Sequence, residues 1–405
     1  MRLLTLRLAD GIMTPLDRMA IDQVPDVGFS PPAIGEDEVA EVVATLKSGW
    51  LSTGPRVAQF ERAFADYVGA PHAVAVNSGT AALHLSLLAA GVGAGDEVIT
   101  TPLTFCATAN VIIHAGATPV FADIDPVTWN LCPSATGAAV TPRTRALLPV
   151  HYAGRPVETR AFRALANRHD LVMVEDAAHC IEGRASGAKI GTTADLTCFS
   201  FYATKNVTTG EGGMLTTSRE DWAAFARMAS LHGMSRNGWD RTEPGTPAQY
   251  DVLMPGFKYN MMDLQAAIGL HQLAKVTAHL RRRQEIWARY DAAFEDLPVT
   301  RPAPVPSGDV HARHLYTVLI DTDSGWTRDD LGRALHQDGI ATSVHFRAVH
   351  LQPYYAERFD FRRGMFPVAE DVSDRTLSLP LSAGMTDEQV ERVTDAFRRT
   401  VLRLR

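Results

Sequence analysis

The chain is short of cysteine. Cys106, Cys132, Cys180 and Cys198 are far apart in 405 residues, and no two form a C-x-x-C pair. That spacing excludes a disulfide framework and a zinc ribbon, gives no reason to expect a metal site, and suits a reducing compartment. Long apolar runs are missing too, since no stretch approaches the roughly 20 residues that a membrane-spanning helix needs. The opening segment "MRLLTLRLADGIMTPLDRM" carries Asp10 and Asp17 in place of a continuous apolar centre, so no secretory leader is expected and the cytoplasm is the expected location. There is no excess of positive charge. Lys plus Arg number 39 against 46 Asp plus Glu, a net charge of −7, which argues against nucleic acid or an anionic membrane as partner. An anionic small ligand stays open, because it needs only a local cluster of donors. With 46% hydrophobic, 21% charged and 8% aromatic residues, the composition excludes collagen, coiled coil and disorder.

What is present is a rhythm of elements. Residues 1–30 lack periodicity and stop before Pro31-Pro32, which reads as an arm. "GEDEVAEVVATLKSG" places Val39, Val42, Val43 and Leu46 on one helical face and stops at Gly49. "VAQFERAFADYVG" repeats the device with Val57, Phe60, Phe64 and Tyr67. From residue 73, the short apolar runs "AVAV", "EVIT", "TPVFADID", "ALLPV", "LVMVED" and "TCFSF" alternate with helical segments such as 80–90, 105–115 and 157–169. Runs without polar alternation predict strands covered on both faces, and the β-then-α order predicts a mainly parallel sheet between helices. One very long helix, or two nearly continuous ones, is predicted over 261–297. Beyond the break "VTRPAPVPSG" a smaller α/β unit follows: strand "LYTVLID", helix "RDDLGRALHQDG", strand "ATSVHF", and a last helix capped by Thr386 with Gln389. The expected organisation is an arm at 1–30, a large α/β domain at 31–275 and a small C-terminal domain at 276–405, joined by the long helix.

Three places in the larger unit carry chemistry. In "AVAVNSGTAALHL" a strand runs into Asn77-Ser78-Gly79-Thr80 and then a helix. Free backbone N–H groups and hydroxyls converge there, where the helix dipole favours an anion; a simple cap by Ser78 or Thr80 is the alternative. "LVMVEDAAH" ends a buried strand on Glu175 and Asp176, at the carboxyl end where α/β sheets bind ligands. A carboxylate there faces a ligand or caps the next segment, and His179 shares that face or simply packs. In "FSFYATKNVTTGEGG" Lys205 follows an apolar run, although lysine is rarely buried unless paired or reactive. A nucleoside-triphosphate loop would put its glycines before the lysine, whereas Gly210, Gly212 and Gly213 follow it. A snorkelling or salt-bridged lysine is one reading. The other is an amine whose pKa is lowered by burial, free to condense with an aldehyde. Taken together, an anion cradle, a carboxylate and a lysine match pyridoxal 5'-phosphate (PLP), whose phosphate, pyridine nitrogen and aldehyde need those three partners.

The same stretches also resemble a known family. "NSGTAAL", "TPLTFCATANVI", "PVFADID", "VEDAAHCIEG", "FSFYATKNVTTGEGG" and "GFKYNMMDLQAAIGLHQL" are similar, in order, to the DegT family of fold type I, PLP-dependent nucleotide-sugar aminotransferases, and "TSVHFRAVHLQPYY", "FPVAED" and "LSLPL" extend the resemblance over residues 30–400. The resemblance implies that Lys205 holds PLP covalently and shuttles the proton, that Asp176 pairs with the pyridinium nitrogen, and that His179 lies beside the ring. It implies Phe105 on the ring face and Gly79, Thr80 and Ser200 on the phosphate. It implies a homodimer with shared active sites, in which Lys258 or Asn260 of "GFKYNMMD" reaches the partner's phosphate; many relatives carry Asn-Tyr-Arg where this chain has Lys258-Tyr259-Asn260. Arg236 and His345 stand where relatives line the sugar-nucleotide site. The implied reaction takes an amine from L-glutamate, by way of pyridoxamine phosphate, to a nucleotide-linked keto-6-deoxy sugar in amino-sugar biosynthesis. The "TSVHFRAVHLQPYY" stretch is more similar to the branch that aminates carbon 4; amination at carbon 3 or of a keto-cyclitol is the alternative. Dehydratases of the family replace the lysine, commonly with histidine, so Lys205 disfavours dehydration. An intact lysine, carboxylate and cradle likewise disfavour a non-enzymatic PLP sensor.

Overall fold

In a computed structural model, residues 25–235 and 250–404 are described. The strands, in chain order, are β1 (His72–Val76), β2 (Glu97–Thr100), β3 (Thr118–Phe121), β4 (Thr144–Leu148), β5 (Val172–Asp176), β6 (Arg184–Ala185), β7 (Ala188–Lys189), β8 (Leu196–Ser200), β9 (Gly213–Thr217), β10 (Val299–Thr300), β11 (Tyr316–Ile320) and β12 (Thr376–Leu379). The helices are α1 (Glu36–Ser48), α2 (Pro55–Val68), α3 (Gly79–Ala89), α4 (Cys106–His114), α5 (Pro133–Ala138), α6 (Thr159–His169), α7 (Glu220–Ala229), α8 (Asp263–Ala293), α9 (Arg328–Gln337), α10 (Pro353–Phe359), α11 (Pro367–Arg375) and α12 (Asp387–Leu404).

A seven-stranded sheet runs in the order β1-β9-β8-β5-β4-β2-β3. The neighbours from β8 through β3 are parallel, and β9 is antiparallel to both β8 and β1. The apolar runs fall on these strands as the sequence predicts, and β2, β8 and β9 are buried along almost their whole length because helices cover both faces. A second sheet, β10-β11-β12, is antiparallel and packs against α8 and α12 in a core that includes Tyr290, Tyr316, Phe294 and Phe397. Val27, on the stretch read as an arm, is buried in that core and pairs with Ile340. The long helix is unbroken over 31 residues. The last helix carries the expected capping box, with Gln389 N–H donating to Thr386 Oγ1 at 3.2 Å and Thr386 N–H donating to Gln389 Oε1 at 3.0 Å.

Two expectations fail. "ATSVHF" is not a strand; it pairs at one bridge, Ser343 with Ser378. Helix α1 has the apolar stripe, but the stripe faces outward, with Val39 49%, Val43 41% and Leu46 52% exposed. Its polar side docks on α8 instead. The Glu38 carboxylate accepts from Gln272 Nε2 and Lys275 Nζ, each at 2.8 Å. Burial pushes the Glu38 carboxyl up, but those donors and two backbone N–H groups outweigh it and hold it at about 2. No helix among the described residues is long and apolar enough to cross a membrane.

Candidate active site

The parallel strand β5 ends at Asp176, and its backbone is fixed from both sides. Asp176 N–H donates to Pro149 O at 2.9 Å, His151 N–H donates to Asp176 O at 3.0 Å, and Ala177 N–H donates to Cys198 O at 2.8 Å. Side chains alternate along a strand, so Glu175 and Asp176 point to opposite faces. Glu175 is sealed, accepting from the Thr193 and Thr197 hydroxyls at 2.7 and 3.1 Å with His151 Nε2 at 3.6 Å. Asp176 accepts from Thr108 Oγ1 at 2.8 Å on Oδ2 and from Ala178 N–H at 3.1 Å on Oδ1. The Thr104 hydroxyl lies 2.8 Å from that of Thr108. Burial pushes the Asp176 carboxyl up, while Ala178, Thr108 and the Lys205 charge pull it down.

Lys205 lies in the loop that joins β8 to β9. This loop is closed at its base, with Phe201 N–H on Gly212 O at 2.8 Å and Thr209 N–H on Phe201 O at 2.9 Å. Burial lowers the Lys205 amine to about 8, and the Asp176 charge acts in the opposite direction. The next element is set by close packing. Gly213 pairs with Val76 on one side and Ser200 on the other, and a Cβ there would sit 2.3 Å from Ser78 O. Only glycine lets β9 lie against the first turn of α3. Ser78 caps that helix, accepting from Ala81 N–H at 3.1 Å, so the capping role is real. A Cβ on Gly79 would lie 2.8 Å from the Ser200 Cβ, so the glycine lets the first turn of α3 press close against Ser200, with Thr80 exposed beside it.

His179 is buried against His314, with ring centroids 4.4 Å apart, and near-parallel to Phe346 at 6.0 Å. Burial drives the His179 imidazole well below its ordinary pKa, helped by Lys205, His314 and His345, and its Nδ1 is buried with no hydrogen-bond partner. His345 is held to about 3 by burial and by the Lys205 charge, and its Nδ1 lies 2.9 Å from Ser378 Oγ. Phe105 is 59% exposed at the N-terminus of α4, with its ring 6.2 Å from that of Phe346. Lys258 and Asn260 lie beside the same cradle. Asn77 Nδ2 donates to Lys258 O at 3.1 Å, and Lys258 Nζ donates to Asn260 Oδ1 at 2.7 Å. Arg236 lies outside the described residues.

The structure therefore gathers Gly79, Thr80, Asp176, His179, Ser200, Lys205 and His345 around one end of the sheet. It adds Thr108, His314 and Phe346, which the sequence reading passed over. Thr108 is legible only as a helix residue in "CATAN", and His314 only as a polar residue ahead of "LYTVLI". Three features fit PLP: the helix N-terminus at Gly79 packed beside Ser200 with Thr80 exposed, the hydrogen-bonded carboxylate near a lysine, and the orphaned Nδ1 of His179.

Comparison with known proteins agrees. The model of the DegT/DnrJ/EryC1/StrS aminotransferase family matches residues 32–398. The spore coat polysaccharide biosynthesis protein SpsC of Bacillus subtilis (strain 168) is 51% identical over 372 residues, covering 91% of this chain and 96% of SpsC. Among solved structures, the putative sugar aminotransferase Spr1654 of Streptococcus pneumoniae, in its PMP form, superposes with a TM-score of 0.89 at 33% identity, covering 94% of this chain and 100% of that one. PseC of Helicobacter pylori, an aminotransferase involved in the biosynthesis of pseudoaminic acid, gives a TM-score of 0.87 at 29% identity, covering 93% and 99%. The helix N-terminus, the carboxylate and the lysine occur in a chain that matches this family over nearly its whole length, and the protein belongs to the DegT/DnrJ/EryC1/StrS aminotransferase family, with PLP as its cofactor.

Proposed function

We propose that this enzyme is a sugar aminotransferase that moves an amino group from L-glutamate to the carbon 4 keto group of a nucleotide-linked 6-deoxy sugar. The observation that carries the reading is Lys205 held near the Asp176 carboxylate, which Thr108 orients, in a loop whose base at Ser200 packs against the helix N-terminus at Gly79. Bound PLP supplies the electron sink for the carbon that loses its proton. Lys205 bears the cofactor and then takes and returns that proton at Nζ, a task suited to an amine whose pKa is about 8. Asp176 holds a proton at the pyridine nitrogen, with Thr108 orienting the carboxylate. The Gly79 N–H and the Thr80 and Ser200 hydroxyls take the phosphate. Phe105 would lie on the face of the cofactor ring and His179 beside it, where they would keep water off. His345 and Arg236 contact the sugar nucleotide.

The carbon 4 reading is supported by the stretch from Thr342 to Tyr355, and amination of a sugar by the likeness to the putative sugar aminotransferase Spr1654. The enzyme acts as a homodimer. Its second copy covers the outward apolar stripe of Ile34, Val39, Val43 and Leu46, and Lys258 or Asn260 reaches the partner's phosphate. The chain divides into a large unit at 31–275 and a small one at 276–405, bridged by α8.

The test is turnover by purified protein given L-glutamate and UDP-, dTDP- or GDP-linked 4-keto-6-deoxy sugars, with 3-keto sugars and a keto-cyclitol in parallel. Amination of a 4-keto sugar is expected. Turnover only on the parallel substrates, or on none, rejects the reading.

A further inference from the structure

A buried polar relay lies behind the site, and the amine-transfer chemistry above does not use it. Arg283 of α8 and Glu182 form a buried ion pair. Such a pair is costly to desolvate and contributes little stability by itself, so its placement calls for a reason. Glu182 Oε2 accepts from Asn206 Nδ2 at 2.8 Å, and the same amide donates to Ala312 O at 2.9 Å. A carboxylate and a carbonyl only accept, so both amide hydrogens of Asn206 are committed and its Oδ1 is left as an acceptor. That Oδ1 lies 3.0 Å from His314 Nδ1. His314 must therefore carry its proton on Nδ1.

The imidazole is neutral, because burial lowers its pKa far below the ordinary value, helped by the positive charges of Lys205 and Arg283. A neutral ring with Nδ1–H has a lone pair on Nε2. That atom has no hydrogen-bond partner among the described residues, and it is not one of the sealed polar atoms. The ring packs at a tilt of 40° against His179, with centroids 4.4 Å apart, and Asn206 is the chain neighbour of Lys205.

We propose that His314 is a positioning residue for Lys205: the Arg283–Glu182–Asn206 relay fixes its tautomer, and its Nε2, which has no partner among the described residues, is the acceptor to which the protonated lysine Nζ turns when that amine is free of the cofactor. The proposal rests on Lys205 being the cofactor-bearing amine. An acceptor there favours the ammonium form, so it tunes the pH at which the amine becomes reactive and orients the free amine between proton transfers.

Two variants separate the functions of the ring. His314→Asn keeps a donor near the Nδ1 position and has no acceptor at the Nε2 position; His314→Gln places a carbonyl oxygen near Nε2. The apo-enzymes of parent and variants are mixed with PLP across a pH series, and the rate of colour formation is followed. The holoenzymes are reduced with borohydride and digested to locate the pyridoxyl group. The midpoint of the capture-rate curve is expected to move to lower pH in His314→Asn and back toward the parent in His314→Gln. In amine transfer, kcat for His314→Asn is expected to fall about tenfold or more with KM within about twofold. Asn206→Ser, which frees the tautomer, is expected to shift the midpoint in the same direction by less, and it serves as the test variant if His314→Asn does not fold. An unchanged midpoint with the pyridoxyl group on Lys205 overturns this proposal alone. A parent enzyme with no pyridoxyl group on Lys205 overturns the functional reading and this proposal with it.

Discussion

Glu175 and Asp176 are chain neighbours with opposite surroundings. On the back of β5, Glu175 is enclosed by two threonine hydroxyls and His151, with both hydroxyls on Oε2 and Oε1 left buried without a hydrogen-bond partner among the described residues. On the front, Asp176 has one hydroxyl and one backbone N–H and lies within electrostatic reach of an amine lowered to about 8. Both carboxylates are buried. What differs is whether their remaining hydrogen-bonding capacity points into the fold or into a cleft. Pleat alternation thus turns one acidic dipeptide into one carboxylate enclosed by the fold and one facing Lys205.

The largest effects should fall on the front. Lys205→Ala and Asp176→Asn are each expected to lower amine transfer by roughly 100- to 10,000-fold, measured as product formed per enzyme. Glu175→Gln is expected to stay within about threefold in kcat while losing about 1–2 kcal/mol of stability in urea unfolding. Equal losses at 175 and 176 would break the comparison. Next, Thr108→Val removes the hydroxyl from the Asp176 carboxylate. Hydrogen bonds to charged groups are worth about 1.5–3 kcal/mol, so PLP should dissociate roughly 10- to 100-fold more readily on dialysis. A Thr193→Val change on the back should leave PLP retention as it is in the parent.

The pH dependence sharpens the front further. A protonated amine cannot attack an aldehyde, so below about 8 the reactive fraction of Lys205 falls about tenfold per unit. Capture of PLP by apo-enzyme, read from its colour, should rise with pH and level off above that value. A capture rate that still climbs about tenfold per unit above pH 8 would contradict the lowered amine, by the same shift-to-population rule. The smallest effect on the fold is expected on the outer stripe. Val39→Glu with Leu46→Glu should change the stability of the single chain by about 0.5 kcal/mol or less, while light scattering reports half the parental mass. A doubly substituted protein of unchanged mass would remove the stripe from the interface.

Much of this was legible in the sequence, for physical reasons. Fully buried strands give continuous apolar runs, so β2 and β5 could be read almost to the residue. Helix caps use local chemistry, and Thr386 with Gln389 behaves as the spacing says. Lys205 could be found because a cation after an apolar run is costly unless it is used. What could not be read depends on distant partners. Periodicity locates the apolar side of α1 but cannot say which neighbour α1 meets, and that neighbour is α8, reached through the buried Glu38. "ATSVHF" has strand-forming residues, yet it meets only one bridge partner. His314 and Thr108 carry no local signature, because each is defined by a residue far away in the chain, Asn206 and Asp176 respectively.

The lysine sits in a hairpin whose arms are interior strands of the sheet, pinned where Gly213 slides under Ser78. Its reach is thereby calibrated by the rigid frame and not by the loops around it. A change of sequence in those outer loops would leave the amine's aim where the sheet puts it.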